Sequence, residues 1–129
     1  MSAPGIHLDT SFLIQALVSG SGADRALRQW LGSGRPLAMS SIAWAEFLCG
    51  PVSPEQAELA AHVVGDRLPF GAEEAPLAAR LYNEAGRRRG SLTDCMIAAV
   101  ACRHGAELAT LNRDDFRRFE SAGLRLAAV

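Results

Sequence analysis

The sequence contains no lysine: all 13 basic residues of the 129-residue chain are arginine. A nucleotide-binding P-loop needs the lysine of its GxxxxGK motif, so this class is excluded. Receiver domains also use a lysine in their acidic site and match the chain poorly. Phosphatases of the haloacid dehalogenase type use a lysine as well, and they need a DxD motif where the chain has Asp9-Thr10-Ser11.

Metal-binding cysteine patterns and a positive overall charge are also missing. Cys49, Cys95 and Cys102 form no CxxC pair, and the three histidines form no HxxxH pattern, which argues against a structural zinc site. The cysteines lie in apolar segments and are expected to be buried, reduced thiols of a cytoplasmic protein. The net charge of −1 gives no global field that would attract nucleic acid.

Long apolar segments are absent too. No run approaches the ~18 residues that a membrane-spanning helix needs. The N-terminus has neither the basic nor the apolar region of a signal peptide. A hydrophobic content of 49% and a charged content of 21% are typical of a globular protein. We therefore predict a single cytoplasmic domain spanning residues 1–129, without membrane association.

Short apolar runs alternate with helical segments, which predicts an α/β fold around a mainly parallel sheet. The expected strands are Ile6–Leu8, Leu37–Met39, Leu68–Phe70, Leu108–Leu111 and Leu124–Val129. The expected helices are Ser11–Val18, Arg25–Leu31, Ile42–Cys49, Ser53–Val64, Glu73–Arg88 and Ser91–His104, with a short helical turn at Asp114–Phe119.

Two acidic residues follow predicted strands. Asp9 comes directly after Ile6–Leu8, and Asp115 follows the strand that ends at Leu111. Ligands of open parallel sheets bind beyond the carboxyl ends of the strands, so both side chains are candidates for a site. Both also suit a purely structural role as helix caps. Asp114 is the neighbour expected to face solvent or cap a helix.

Two further acidic residues lie in apolar helices. Glu46 is the one carboxylate in Ile42–Cys49, and Asp94 precedes the apolar segment CMIAAVAC. Both helices are apolar on all sides and are therefore expected to be buried, where a carboxylate needs a partner or a metal. An arginine ion pair is the structural alternative for Glu46. A capping box of Ser91 with Asp94 is the alternative for Asp94.

The four carboxylates together indicate a cation site. Parallel βα topology brings strand ends and helix starts to one edge of the sheet. Oxygen ligands without convergent histidine or cysteine suit a hard cation, Mg²⁺ or Mn²⁺. Such an ion activates a water molecule and neutralises charge on the leaving oxygen of a phosphodiester. Without it, the crowded carboxylates repel one another and at least one is expected to hold a proton.

Four segments, LDTSFLI, SIAWAEFLCG, TDCMIAAVA and ATLNRDDF, resemble in order and spacing the motifs of a PIN domain, in particular the VapC-type toxins of VapBC toxin–antitoxin pairs. The resemblance extends from Ile6 to Val129. It implies a three-layer α/β/α fold and a Mg²⁺- or Mn²⁺-dependent endoribonuclease that cleaves RNA phosphodiester bonds with a metal-activated water.

The resemblance also implies roles for individual residues. The acids that match the catalytic and metal-binding positions are Asp9, Glu46, Asp94 and Asp115. The fourth position is ambiguous, because the family places an acid where either Asn112 or Asp115 stands. The supporting polar residues are Thr10, Ser11, Thr110 and Asn112.

Further implied partners are a second copy of the chain and a VapB-type antitoxin, which together form a toxin–antitoxin hetero-oligomer. The antitoxin is expected to place an arginine near the acids and an apolar segment in a groove, for which Trp44, Phe47, Leu48 and the helix around Leu13–Leu17 are candidates. The alternative is that these residues are ordinary core.

Contacts with an RNA substrate must come from arginine. One cluster precedes the helix of Asp94 and another flanks the fourth motif; the candidates are Arg87, Arg88, Arg89, Arg113 and Arg117, with Arg118 adjacent. Aromatic residues make up 6% of the chain, which argues against a broad base-stacking platform. Three alternatives to the toxin remain. One is a PIN nuclease in RNA processing or with a DNA flap-type substrate, and another is a catalytically silent PIN-like binding protein, which the amide of Asn112 leaves open. The third is a doubly wound regulatory domain whose carboxylates cap helices and bind no metal.

Overall fold

The computed structural model of the chain describes residues 3–129. Its centre is a sheet of five parallel strands in the order β3-β2-β1-β4-β5. These are β1 (Ile6–Leu8), β2 (Leu37–Ser40), β3 (Asp66–Leu68), β4 (Glu107–Ala109) and β5 (Arg125–Leu126). All five strands are close to their predicted positions, and the predicted parallel sheet is confirmed.

Helices cover both faces of the sheet, so the predicted three-layer α/β/α fold is confirmed. They are α1 (Thr10–Ala16), α2 (Gly22–Gly32), α3 (Ser41–Cys49), α4 (Pro54–Val64), α5 (Ala75–Glu84), α6 (Leu92–Arg103) and α7 (Arg113–Arg117). A 3₁₀ turn at Glu120–Ala122 precedes β5. No helix within residues 3–129 has both the length and the apolar character to cross a membrane.

The strand order places a topological switch point beside β1. From β1 the chain adds β2 and β3 on one side, and later adds β4 and β5 on the other. Register pairs Leu8 with Ala109, so β1 and β4 end side by side. A crevice forms at such a switch point, beyond the carboxyl ends of the strands. The residues that follow β1 and β4 are Asp9 and Thr110.

The two helices expected to be buried differ. Helix α6 is confirmed as a core helix, because Cys95 and the run Ile97–Ala101 are buried. Helix α3 is not: only Ala43 and Phe47 are buried, and Glu46 and Leu48 are exposed. The prediction that α3 is buried all round was wrong. Because the sequence of α3 is apolar on almost every side, it does not show that only one stripe of side chains faces the core.

Several element boundaries shift for local reasons. Strand β3 lies two residues before the predicted Leu68–Phe70, directly before Pro69, which lacks a ladder N–H. Helix α5 is shorter than the predicted Glu73–Arg88 because Gly86 and Arg87 adopt positive φ angles of 88° and 55°. Strand β5 is shorter than predicted. The cysteines also differ from the prediction: Cys95 is buried, but Cys49 is exposed and Cys102 is half-buried.

Candidate active site

Asp9 is a buried carboxylate at the switch point, with 4% of its surface exposed. It occupies the N-cap position of α1 but its side chain makes no capping hydrogen bond, so the structural alternative does not hold. The side chain instead accepts hydrogen bonds at Oδ2 from Thr110 Oγ1 at 2.7 Å and Ser11 Oγ at 3.1 Å. Burial raises the pKa of Asp9, and these hydroxyls oppose the increase.

The hydroxyl residues hold the turns after β1 and β4 together. Ser11 Oγ accepts from the Leu111 backbone N–H at 3.1 Å, and Thr110 Oγ1 accepts from the N–H of Asn112 at 3.0 Å. Thr110 is fully buried. Ser11 and Thr110, predicted as supporting residues, thus fix the carboxylate of Asp9 and the backbone that presents Asn112.

Glu46 reaches the same crevice from the exposed side of α3. Its Oε1 accepts a hydrogen bond from Thr10 Oγ1 at 3.0 Å, and the same hydroxyl lies 3.1 Å from the carbonyl oxygen of Ala43. Within residues 3–129 no arginine forms a salt bridge with Glu46, so the ion-pair alternative does not hold. Partial burial raises the pKa of Glu46, with a smaller contribution from the charge of Asp9.

Asp94 lies in the first turn of α6 and is half-buried. Ser91 makes no side-chain cap and donates instead to the carbonyl oxygen of Arg88 at 2.6 Å, so the predicted capping-box alternative is not formed. Burial, together with the negative charges of Asp9, Asp115 and Glu46, raises the pKa of Asp94 from 3.8 to about 6. This carboxylate is therefore the one most affected by its acidic neighbours.

Three of the four predicted acids line one cavity of about 270 Å³, which we call the acid cavity. Its walls are Asp9, Thr10, Ser11, Ile14, Glu46, Asp94 and Asn112. The sequence could not place Ile14 there, because an apolar helical residue carries no signal of a site. The convergence of three acids from three separate motifs is the main geometric result.

The fourth position divides between two residues. Asn112 lines the acid cavity, whereas Asp115 lies beside it and shares a neighbouring cavity with Asp94. Asp115 is half-buried, and its carboxylate is 3.9 Å from the Arg88 guanidinium. Asp114 is exposed and pairs with Arg117 at 2.7 Å, in agreement with the prediction that it faces solvent. This geometry favours Asn112 as the side chain that completes the acid cavity.

A second cavity, the arginine pocket, adjoins the acid cavity through Asp94. It measures about 130 Å³ and is lined by Arg88, Arg89, Gly90, Ser91, Asp94, Asp115 and Arg118. Arg88 and Arg89, two of the predicted RNA-binding residues, therefore lie next to the acids. Arg118 lies with them.

The other predicted RNA-binding arginines have local partners. Arg87 lies over the ring of Tyr82 and donates to Asn83. Arg113 donates to the carbonyl oxygen of Ala127 at 2.8 Å. Arg117 pairs with Asp114, as described above. The structure does not bring these three into the arginine pocket.

The donor set fits a hard divalent cation. The acid cavity offers carboxylate, hydroxyl and amide oxygens, and a cation would relieve the repulsion that raises the pKa of Asp94. Across residues 3–129, however, no three acidic, histidine or cysteine side chains form a compact metal cluster as they stand.

An apolar groove lies between α1, α2 and α4. We call it the α1–α2–α4 groove; its volume is about 280 Å³, and its walls are Leu13, Ala16, Leu17, Ser19, Asp24, Leu27, Arg28, Leu31, Leu59, Ala60 and Val63. Of the predicted helix around Leu13–Leu17, the residues Leu13, Ala16 and Leu17 lie here, whereas Phe47 is fully buried core. The second wall was missed, although Leu27 with Leu31 and Leu59 with Val63 are spaced four residues apart, as on one helix face.

Comparison with known proteins identifies the class to which this fold and site belong. A family model described as PIN domain matches residues 6–121. The chain therefore belongs to the PIN domain family, as the four motifs predicted.

An individual relative gives a more specific similarity than the family model does. The chain is 42% identical over 64 residues to Ribonuclease VapC1 of Rickettsia felis, a match covering 48% of this chain and 46% of that protein. The chain thus spans about half the length of the curated relative that it matches. Its likeness to VapC proteins agrees with the predicted resemblance.

Solved structures show the same fold. A toxin–antitoxin complex from Klebsiella pneumoniae aligns with a TM-score of 0.67 and 29% identity, covering 87% of this chain and 90% of that one. VapBC2 from Rickettsia felis, bound to a promoter DNA fragment, aligns with a TM-score of 0.73 and 22% identity, covering 95% and 96%.

Proposed function

We propose that this chain is a Mg²⁺- or Mn²⁺-dependent endoribonuclease and the toxin of a type II toxin–antitoxin pair. The observation that carries the proposal is the convergence of Asp9, Glu46 and Asp94 on one cavity without an arginine partner inside it. Carboxylates that serve only the fold are normally paired when they are buried. The similarity to Ribonuclease VapC1 supports RNA as the substrate.

Each acid has a distinct task in this proposal. Asp9, fixed by two hydroxyls, is the rigid ligand, and Asp94 and Glu46 complete the oxygen set around the cation. The bound cation would supply Lewis acidity and neutralise the charge that develops on the phosphate. Asn112 donates a hydrogen bond to a water molecule or to a neighbouring carboxylate. Thr10 orients Glu46, because its hydroxyl donates to that carboxylate.

RNA binding is assigned to the arginine pocket. Arg88 and Arg89 lie beside the acids and supply positive charge where a phosphodiester must approach a negative site. Because the net charge of the chain is −1, attraction of the RNA depends on this local cluster of arginines.

The α1–α2–α4 groove is the proposed docking site of a VapB-type antitoxin. It is lined mainly by apolar side chains, its wall includes exposed Leu31 and Leu59, and Asp24 and Arg28 on the same wall form an ion pair. An apolar helix of a partner fits such a surface. The toxin–antitoxin complex from Klebsiella pneumoniae supports a partner of this class. We further propose a cytoplasmic homodimer, for which the exposed apolar side chain of Leu48 on α3 is available.

Cleavage of total bacterial RNA by antitoxin-free protein tests the proposal. Wild type is compared with Asp9→Asn and Asp94→Asn in Mg²⁺, Mn²⁺ or EDTA. Discrete fragments are expected from the wild type alone, and EDTA abolishes them. Asp114→Asn is the matched control, because it makes the same carboxyl-to-amide change on an exposed side chain outside the acid cavity. Absence of cleavage with either metal contradicts the enzyme and favours a silent PIN-like binding protein.

A further inference from the structure

Arg118 follows α7 and points into the arginine pocket. Its guanidinium lies 4.9 Å from the ring centroid of Phe119, which is part of the core with 1% exposure. Stacking on a fixed ring restricts a long side chain that would otherwise be mobile in solvent. The stacking therefore holds the positive charge of Arg118 in a fixed position.

The hydrogen-bonding capacity of Arg118 is not used within the described part of the chain. Its Nε atom is buried and has no hydrogen-bond partner among residues 3–129. No carboxylate there lies within salt-bridge distance of its guanidinium, whereas the adjacent Arg117 is paired with Asp114. No acceptor among residues 3–129 therefore uses this guanidinium, and its terminal NH₂ groups, rather than the buried Nε, are the donors that acceptor oxygens of a ligand in the pocket would bind.

The position of Arg118 relative to the acids is specific. Arg118 and Asp94 line the same pocket, and Asp94 also lines the acid cavity. Glu46 lines only the acid cavity, and Arg118 lines only the arginine pocket. Asp94 therefore lies between the two. An RNA backbone that passes over Asp94 meets Asp9 and Glu46 in the acid cavity on one side, and the Arg118 guanidinium together with Asp115 in the arginine pocket on the other.

We propose that Arg118 binds the phosphate of the RNA that lies next to the acid cavity and thereby contributes to the affinity for the strand. This inference rests on the proposed ribonuclease function. It singles out Arg118 from the surrounding arginines because its guanidinium stacks on Phe119, forms no salt bridge within residues 3–129 and shares a pocket with Asp94, whose charge it opposes only from beyond salt-bridge distance. A planar guanidinium binds two phosphate oxygens at once, which a lysine ammonium cannot do in the same way.

The test compares Arg118→Gln and Arg118→Lys with the wild type. Arg80→Gln is the matched control, because Arg80 is exposed, pairs with Glu84 on α5 and lies outside both cavities. The first readout is cleavage of one RNA, with KM and kcat determined separately. The second is the affinity for a labelled single-stranded RNA oligonucleotide in EDTA, measured over a series of salt concentrations.

For Arg118→Gln we expect KM to rise about tenfold with kcat within about twofold of the wild type. The slope of log affinity against log salt should decrease by about 0.7, the value for one phosphate contact on a single strand. Arg118→Lys should restore the slope because it keeps the charge, and should recover KM only in part because it loses the two-point contact. Arg80→Gln should change neither quantity.

Three outcomes overturn the inference, and a fourth overturns the proposed function on which it rests. If Arg118→Gln lowers the melting temperature but keeps the wild-type salt slope and KM, Arg118 only packs on Phe119. If Arg80→Gln changes the slope as much as Arg118→Gln, the effect is general charge and not a defined contact. If the wild type cleaves RNA and Arg118→Gln matches it in KM and salt slope, only the role of Arg118 is refuted. If the wild type binds the oligonucleotide but cleaves no RNA, the proposed function fails.

Discussion

Carboxylates at the two ends of the sheet differ in the groups that they pair with. At the amino ends of the strands, Glu107 pairs with Arg35 at 3.2 Å. On the same side, Glu74 accepts from Arg103 at 2.8 Å and from the Gly71 N–H at 2.8 Å. At the carboxyl ends, Asp9 and Glu46 accept from hydroxyl groups, and no arginine within residues 3–129 forms a salt bridge with either.

The difference separates carboxylates that stabilise the fold from those that serve the site. Paired with a cation, a buried carboxylate gains back part of its desolvation cost. Asp9 and Glu46 lack that compensation, and Asp94 has little of it, because the charge of Arg118 only slightly opposes the rise in its pKa; burial raises the pKa of all three. Their charged forms are thus unfavourable in the folded chain. A protein retains such a loss of stability where binding of a ligand compensates for it.

Removing one carboxylate of the acid cavity should have the largest effect. We expect Asp9→Asn to lower kcat about a thousandfold, because the rigid ligand of the cation is lost. Its folding should be retained, since the amide oxygen still accepts from Thr110. Addition of Mn²⁺ should raise the melting temperature of the wild type and leave that of Asp9→Asn unchanged. A variant that retains its activity would place catalysis elsewhere.

At the opposite end, Glu74→Gln should destabilise the fold by about 2 kcal/mol, because it removes the charge of a buried carboxylate that pairs with the partly exposed guanidinium of Arg103. Urea unfolding measures this change. Glu73→Gln is the control: Glu73 also contacts Arg103, but its side chain is 72% exposed, and the expected cost is below about 0.5 kcal/mol. Activity per folded molecule should be that of the wild type in both, and a loss of kcat in Glu74→Gln would contradict the division of roles.

The stability gained by Asp94→Asn should depend on pH. The folded pKa of about 6 lies above the ordinary 3.8, so ionisation increasingly destabilises the wild type as the pH rises between these values. The variant should therefore be about 1 kcal/mol more stable above pH 6, a figure reduced for the partial exposure of Asp94, and equally stable near pH 4. Thermal unfolding in EDTA gives both values. A difference independent of pH would assign the gain to packing.

Asp114→Asn should have the smallest effect. Its side chain is 92% exposed and its ion pair with Arg117 is on the surface, so the expected change in unfolding free energy is below about 0.5 kcal/mol. Cleavage should stay within about twofold of the wild type. A dead Asp114→Asn enzyme would show that the acid of this segment acts at position 114 and not beside it.

Sequence reasoning located the strands and most of the candidate site because it used local signals. Asp9 follows a buried strand, and Asp94 lies in the first turn of a helix whose central residues Ile97–Ala101 are buried, as expected. It misjudged α3, since an all-apolar helix gives no periodicity from which to read its buried face. It also left Asn112 and Asp115 undecided, because both follow the same strand and only the turn after Thr110 determines which one faces the acids.

The sequence by itself determined the alternation of strands and helices, the oxygen-rich donor set and the PIN motifs, since these depend on residue type and short-range spacing. Only the tertiary structure decided which carboxylates have arginine partners, which wall carries Arg118, and that α1, α2 and α4 form one groove. Such contacts join residues up to 101 positions apart, as between Asp9 and Thr110. They follow from strand order and helix packing, which fix distances that no local pattern encodes.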